Sequence, residues 1–304
     1  MTDPHHSPCS FRIRKSRIAE QCVCCGSSEL DSSPAILMPF VAHRVFNWRP
    51  VDIDASWGLT TIQPGHAYSI CNSLQCRRCS HVFLDIRFTA SELDRLYCDY
   101  READYTRLRE HYEPGYTARN DQLTRGIDYL QTVEAWLLGH MEMPAAVLDW
   151  GGDSGTNTPF VGKAASVHIY DISNKPIIAG TQRVSIKTAR ASDYDLITCS
   201  QVLEHVPYPH QVLLDIFRTM AGKGFLYLEL PFEELMQEDR ADHHLRKRHW
   251  HEHINFFSER SLSDLTRGCG FRTVASHVLD VTAAGKTGRI FQRLLTPLDS
   301  PMDD

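Results

Sequence analysis

The stretch Val147-Leu148-Asp149-Trp150-Gly151-Gly152-Asp153-Ser154-Gly155 constrains this chain more than any other. An apolar run entering a glycine turn reads as a buried strand, a turn and a following helix. A second apolar run, Val167-His168-Ile169-Tyr170, ends on Asp171, 22 residues after Asp149. Strand, glycine turn, helix and an acid at the tip of the next strand make a βαβ unit suited to a nucleoside. The glycines let a ligand approach the backbone, and the acid accepts hydrogen bonds from ribose hydroxyls. The turn is not the G-x-G-x-x-G of a pyrophosphate site. A carboxylate at Asp153 would repel a pyrophosphate and suits a cationic ligand with an α-amino group.

The chain downstream continues the alternation. Asp195-Leu196-Ile197-Thr198-Cys199 reads as a strand, with Ser200-Gln201-Val202-Leu203-Glu204-His205-Val206 following it. Pro207 and Pro209 open an amphipathic helix through residues 211–217. Residues 224–230 form the next strand, stopped by Pro231, and Ser258 caps a helix that ends at Gly270. Residues 271–281 and 289–295 look like a closing antiparallel pair.

Over residues 144–296 this pattern resembles the class I S-adenosylmethionine-dependent methyltransferases, whose first motif is acid-x-G-x-G-x-G. Asp149 matches the leading acid, Gly151 and Gly155 the outer glycines, and Asp153 stands at the middle glycine. The resemblance implies an α/β fold with a Rossmann-like seven-stranded sheet. It also implies S-adenosylmethionine lying across Gly151, Gly152, Asp153 and Gly155, its ribose on Asp171 with Ile172 beside it. Ser200 and Gln201 occupy the loop that contacts cofactor and substrate, and Asp153 or Gln201 would meet the amino-acid end.

Ten cysteines in a chain without an apolar export signal point to metal more than to disulfides. Cys22-Val23-Cys24-Cys25-Gly26 and Cys76-Arg77-Arg78-Cys79 each hold a C-x-x-C turn, which aims two thiolates at one ion. The expectation is one structural Zn2+ on Cys22, Cys25, Cys76 and Cys79, in a small zinc-ribbon domain over residues 21–85. Cys24 is an alternative ligand and Cys71 a weaker one, while Cys9, Cys98, Cys199 and Cys269 read as ordinary packing thiols. A helical connection follows at residues 86–143, with one helix starting at Ser91 and a longer one over residues 117–138. Most of its tyrosines read as half-buried helix residues, and one or two would border an acceptor pocket.

The catalytic candidates lie late, in His249-Trp250-His251-Glu252-His253-Ile254-Asn255-Phe256-Phe257-Ser258. The histidines from His243 to His253 lack H-E-x-x-H spacing, so most are read as surface groups and not as a second metal site. A cysteine-rich ribbon before a class I domain, then an E-H-x-x-x-F-S segment, is similar to the nucleotide-sugar C-methyltransferases. Glu252, His253, Phe257 and Ser258 match that segment, and His205 matches a family histidine facing the active site. Trp250 stands where that family has tyrosine. The resemblance implies a small nucleotide-linked sugar acceptor. His253 is the expected general base, oriented or stabilised by Glu252, with His205 as the substitute. The same apparatus serves methylation of a carbon beside a ketone or of a hydroxyl.

A net charge of −6 argues against non-specific nucleic-acid binding and hence against an RNA methyltransferase, the first alternative. A non-enzymatic binding module on a degenerate scaffold is the second; Asp153 favours it, while Asp171 and the Glu252-His253 pair oppose it. No apolar run reaches the ~20 residues that span a bilayer. Residues 1–20 are polar and basic, without the apolar centre of a signal peptide, so a mobile tail and a cytoplasmic protein are expected. Residues 297–304 form a second expected tail.

Overall fold

The computed structural model describes residues 13–123, 126–173, 175–283 and 286–298. Most of both expected tails, residues 1–12 and 299–304, lies outside the described residues. Residues 13–20, also expected as tail, are held in place. Ser16 and Tyr208 exchange two hydrogen bonds of 2.8–2.9 Å, and Ile18 bridges Ile86.

The first sheet begins with β1 (Leu30–Leu37), β4 (Ile70–Cys76) and β5 (Val82–Leu84), all antiparallel neighbours. Between β1 and β4 lie α1 (Pro39–Phe46) and a separate hairpin of β2 (Val51–Ile53) and β3 (Gly65–Ala67). The connecting region carries α2 (Ala90–Tyr97), α3 (Ala103–Tyr112), α4 (Tyr116–Leu123) and α5 (Leu130–Leu138). Two expectations are corrected here. Helix α2 is capped by Thr89, which forms a capping box with Glu92, and not by Ser91. The single helix expected over 117–138 is two, because Gly126 between them adopts φ +88°, outside the helical region.

The second sheet has seven strands. In chain order these are β6 (Ala146–Trp150), β7 (Ser166–Tyr170), β8 (Gln182–Arg183), β9 (Leu196–Ser200) and β10 (Phe225–Pro231). After the short strands β11 (His249–Trp250) and β12 (Asn255–Phe256) come β13 (Phe271–Ala283) and β14 (Lys286–Pro297). The order β13-β14-β10-β9-β6-β7-β8 puts β6 in the interior, parallel to β7 and β9. Val147 and Leu148 of β6 are fully buried, as a strand covered on both faces requires. The last pair, β13 and β14, is antiparallel. Helices α6 (Ile186–Arg190), α7 (Pro209–Met220), α8 (His243–Arg246) and α9 (Glu259–Gly268) complete the chain, with Ser258 capping α9.

The helix expected after the glycine turn does not form. Residues 151–164 pass to β7 through consecutive turns. Pro159 removes a backbone donor there, and Phe160 and Gly162 have φ of +64° and +75°.

The two sheets are stitched together by chain from the late segment. Strand β11 pairs parallel with β1, and β12 pairs antiparallel with β5, so the unit expected at 21–85 is completed by residues 249–256. Trp250 is fully buried in that first sheet, and its indole N–H donates to Ser73 Oγ at 2.9 Å. The buried Arg87 donates to Pro207 O and Asn255 Oδ1, each at 3.1 Å. Asn255 Nδ2 in turn donates to Leu203 O and Val206 O at 2.9 and 2.7 Å. These bonds fix the loop after β9 against the segment that carries His253.

Candidate functional site

Strand β6 delivers the chain to a turn that tolerates little side chain. Gly151 has φ +82°, and a Cβ there would stand 2.5 Å from Val202 Cγ2. A Cβ on Gly152 would stand 2.6 Å from the carboxyl carbon of Asp149. Asp153 has φ +51°, the left-handed conformation that aspartate visits more readily than most residues. This explains how it replaces a glycine. Its N–H donates to Asp171 Oδ2 at 2.9 Å, and Ser173 N–H donates to Asp171 Oδ1 at 2.6 Å. The acid at the tip of β7 thus clasps the turn. Gly155 also has positive φ, and Ile172 beside Asp171 is 68% exposed.

Asp153 is not free to meet a cationic amine alone, because Lys175 Nζ pairs with its carboxylate at 3.0 Å. Gln201, at φ +57°, donates from Nε2 to Glu229 Oε1 at 3.1 Å, next to the half-buried Ser200. Asp149 points into the protein and accepts from Thr198 Oγ1 at 2.8 Å and from Thr158 Oγ1. Burial pushes its carboxyl up to about 6.

A second group of polar side chains gathers beyond the carboxyl ends of β9 and β10. The rings of His205 and His253 meet edge to face, with centroids 4.6 Å apart. His205 Nδ1 lies 3.1 Å from Glu252 O and 2.9 Å from Tyr97 Oη. A carbonyl only accepts, so the tautomer that satisfies Glu252 O has its hydrogen on Nδ1, shared with Tyr97 Oη, and its lone pair on Nε2. His253 Nδ1 lies 2.8 Å from Glu233 Oε1, which leaves its Nε2 likewise as the free nitrogen. Burial would lower the His253 pKa, but the Glu233 carboxylate outweighs it and the net direction is up. Burial, with the neighbouring His253, drives His205 down to about 3.

The carboxylate of Glu252 does not make the orienting contact to His253 expected of it, although its charge is among those that raise the His253 pKa. It lies 2.6 Å from Arg109 Nη2 and 3.5 Å from His251 Nδ1. Burial would raise its pKa, but the His251 contact and the Arg109 charge hold it well below the usual range. Glu233 makes the carboxylate contact to His253 instead. Sequence reasoning missed it, although its place just past Pro231, where β10 ends, is a usable signal in a sheet of this kind. Glu204, beside His205, was also missed as a site residue. Its side chain is 2% exposed, neither carboxylate oxygen has a hydrogen-bond partner among the described residues, and burial pushes its pKa up to about 7. The histidines expected at the surface divide: His249 is exposed, His243 is buried, and His251 sits 4.7 Å from His253, ring to ring. Tyr97 is the one tyrosine hydroxyl bonded to this histidine pair among the described residues.

The thiols of Cys22, Cys25, Cys76 and Cys79 converge, all within 4.8 Å of one another. Cys22 Sγ is 3.5 Å from Cys79 Sγ, and Cys25 Sγ is 3.6 Å from Cys76 Sγ. Both knuckles close alike. Gly26 N–H donates to Cys22 O and Ser80 N–H to Cys76 O, each at 2.9 Å, with positive φ at Gly26 and Ser80. Cys24 contributes its backbone N–H, 3.4 Å from Cys22 Sγ, and neither its thiol nor that of Cys71 joins the four.

A family profile described as a methyltransferase domain matches residues 120–276. The chain is similar to a ubiquinone biosynthesis O-methyltransferase of Nitrosomonas europaea, 27% identical over 114 residues, 36% of this chain and 48% of that protein. It is also similar to the C-methyltransferase NovU of Streptomyces niveus, 32% identical over 87 residues, 28% of this chain and 20% of that protein. The chain thus spans about half the length of the first relative and about a fifth of the second. Among solved structures, it is similar to the 1,6-didemethyltoxoflavin-N1-methyltransferase of Burkholderia thailandensis, which holds 1,6-didemethyltoxoflavin and S-adenosylhomocysteine. The identity is 17%, the coverage 73% of this chain and 98% of that one, and the TM-score 0.47. No described helix is long and apolar enough to cross a membrane.

Proposed function

The chain belongs to the methyltransferase-domain family, and from that premise we propose that it methylates a small nucleotide-linked sugar with S-adenosylmethionine in the cytoplasm. The cradle fits that cofactor. Gly151 and Gly152 are half-buried and hold the turn close against Val202 and Asp149, where a Cβ would be refused, and Asp171 and the exposed Ile172 lie at the next strand's tip. The residues that would hold it are Gly151, Gly152, Asp153, Gly155, Asp171, Ile172, Ser200 and Gln201. When bound, S-adenosylmethionine supplies a sulfonium-borne methyl group. The protein's remaining tasks are to hold the acceptor in line and to receive one proton.

The observation that carries this reading is the His205–His253 pair, with both Nδ1 atoms tied and both Nε2 atoms left as bases. His253 Nε2 takes the proton from a carbon beside a ketone or from a hydroxyl, and Glu233 stabilises the imidazolium that results. His205 is the named substitute. Glu252 acts as a positioning residue, its carboxylate bound to Arg109 and its carbonyl to His205. One relative is a C-methyltransferase and another an O-methyltransferase, and the histidine pair serves either acceptor.

Cys22, Cys25, Cys76 and Cys79 would hold a structural Zn2+, whose four thiolates leave no open position for chemistry. Such an ion makes the N-terminal unit a zinc ribbon, which with β11 and β12 supports the acceptor side.

The test is methyl transfer to a panel of nucleotide-linked sugars, alongside calorimetric binding of S-adenosylmethionine. His253→Asn should keep cofactor binding and lose about 10²- to 10⁴-fold in turnover. Absence of cofactor binding to the wild-type protein overturns the whole reading. Wild-type turnover in both His253→Asn and His205→Asn overturns the histidine base alone.

A further inference from the structure

Glu204, His205 and His253 have a property that a proton-transfer role does not require. One carboxylate oxygen and two imidazole nitrogens, one atom from each, all lie within 4.8 Å of one another. His205 Nε2 is 3.7 Å from Glu204 Oε1. Glu204 is the least expected member. Its side chain is 2% exposed, and neither oxygen has a hydrogen-bond partner among the described residues. A buried carboxylate left this way is costly unless a cation or donor occupies the space before it.

The second layer of contacts has the form that metal sites use. A ligating histidine usually gives its other ring N–H to a carboxylate or a backbone carbonyl, which sets the tautomer and the ring plane. His253 gives Nδ1–H to the Glu233 carboxylate at 2.8 Å, and His205 gives Nδ1–H toward Glu252 O at 3.1 Å. The carbonyl of Glu204 accepts from Ile254 N–H and Asn255 N–H at 2.7 and 3.1 Å. The two segments that supply the ligands are therefore locked to each other before any ion arrives.

We infer that Glu204, His205 and His253 form a two-histidine, one-carboxylate site for a divalent first-row transition-metal cation, distinct from the four-cysteine cluster. Three protein ligands leave positions open, and imidazole with carboxylate suits zinc, manganese, iron(II) or cobalt. The site itself stands on its three ligands. Its use, to hold an acceptor oxygen, rests on the methyl-transfer reading above. With the cation bound, neither Nε2 is free to accept a proton, so a bound ion and a histidine base are competing uses of the same side chains.

The experiment titrates Co2+ into full-length protein whose cysteine cluster is already filled with Zn2+. The expected result is one further equivalent per chain, with weak visible bands and no thiolate-to-cobalt charge transfer. Glu204→Gln and His253→Asn should lose that equivalent and keep the zinc. Glu233→Gln should weaken it by about 10- to 100-fold, as loss of an orienting carboxylate does. Should these variants fail to fold, bound Mn2+ counted by electron paramagnetic resonance on the wild-type protein decides, since manganese disfavours thiolates. One bound Mn2+ per chain supports the site, and none overturns it. No further Co2+ in the wild type, or a second equivalent that survives in folded Glu204→Gln, also overturns it. Cobalt binding without methyl transfer leaves the site and removes the functional reading. Methyl transfer by protein holding only its cysteine-bound zinc keeps the methyl-transfer reading and overturns the cation's use in holding an acceptor oxygen.

Discussion

Gly151→Ala tests whether backbone and packing together set the turn. At φ +82° an L side chain costs about 1–2 kcal/mol. The new Cβ would also fall 2.5 Å from Val202 Cγ2, so that side chain must move. Forcing extra volume into a packed site costs about 1–3 kcal/mol. The sum is about 2–5 kcal/mol. Val202 is half-buried, and Val202→Ala removes the opposing methyls at a cost of about 1 kcal/mol. In the Gly151→Ala background that second change relieves the clash and leaves the backbone strain. Urea unfolding of wild type, both single variants and the double variant gives the coupling as a cycle. It should be about 1–3 kcal/mol in the direction of rescue. Additivity within about 0.5 kcal/mol refutes the steric half of the argument. An alanine variant as stable as wild type refutes both halves. The same four proteins titrated with S-adenosylmethionine should show affinity lost in Gly151→Ala and partly regained in the double variant.

Three further outcomes are expected. Asp171→Ala should weaken S-adenosylmethionine binding by about 1–3 kcal/mol, because it strips acceptors from the Asp153 and Ser173 N–H groups as well as from the ribose; unchanged affinity by calorimetry counts against the cradle. Cys76→Ala should release zinc and destabilise the N-terminal sheet before the seven-stranded one, read as hydrogen exchange in β1 and β4 and, after Co2+ substitution, as loss of the thiolate-to-cobalt charge-transfer band; a four-thiolate band that persists at wild-type strength would exclude Cys76 from the site. Asp149→Asn should stabilise the protein near pH 7. Folding raises this carboxyl from 3.8 to about 6, so the native state holds more protons between those values. The native protein therefore gains stability as pH falls from about 7 toward 4, by at most about 3 kcal/mol. The asparagine variant lacks that gain, so its advantage should shrink between pH 7 and pH 5 in thermal unfolding; a constant difference would show that Asp149 is not held in its raised state.

What could be read from the sequence follows how locally each feature is encoded. The interior strands were legible because β6, β9 and β10 bury continuous apolar runs, and apolar runs survive any tertiary context. The cysteine knuckles were legible because both thiols of each turn lie within four residues. The helix after the glycine turn was expected by analogy of pattern, and Pro159 with the positive-φ Phe160 overrode it. The partner of His253 was not legible, because adjacency in sequence is a poor guide in an extended segment. Neighbours there point to opposite sides, so Glu252 turns to Arg109 while His253 turns to Glu233, twenty residues earlier. Glu204 illustrates the same limit from the other side. Nothing in Leu203-Glu204-His205 marks its carboxylate as buried, and the 249–256 segment closes on its backbone, with Ile254 N–H and Asn255 N–H donating to its carbonyl. That closure requires β11 on β1 and β12 on β5, so the His205–His253 pair is assembled by the N-terminal sheet as much as by the seven-stranded one. A change that melts the cysteine cluster should therefore displace His253 without touching Gly151 to Gly155, and impair transfer before it impairs cofactor binding.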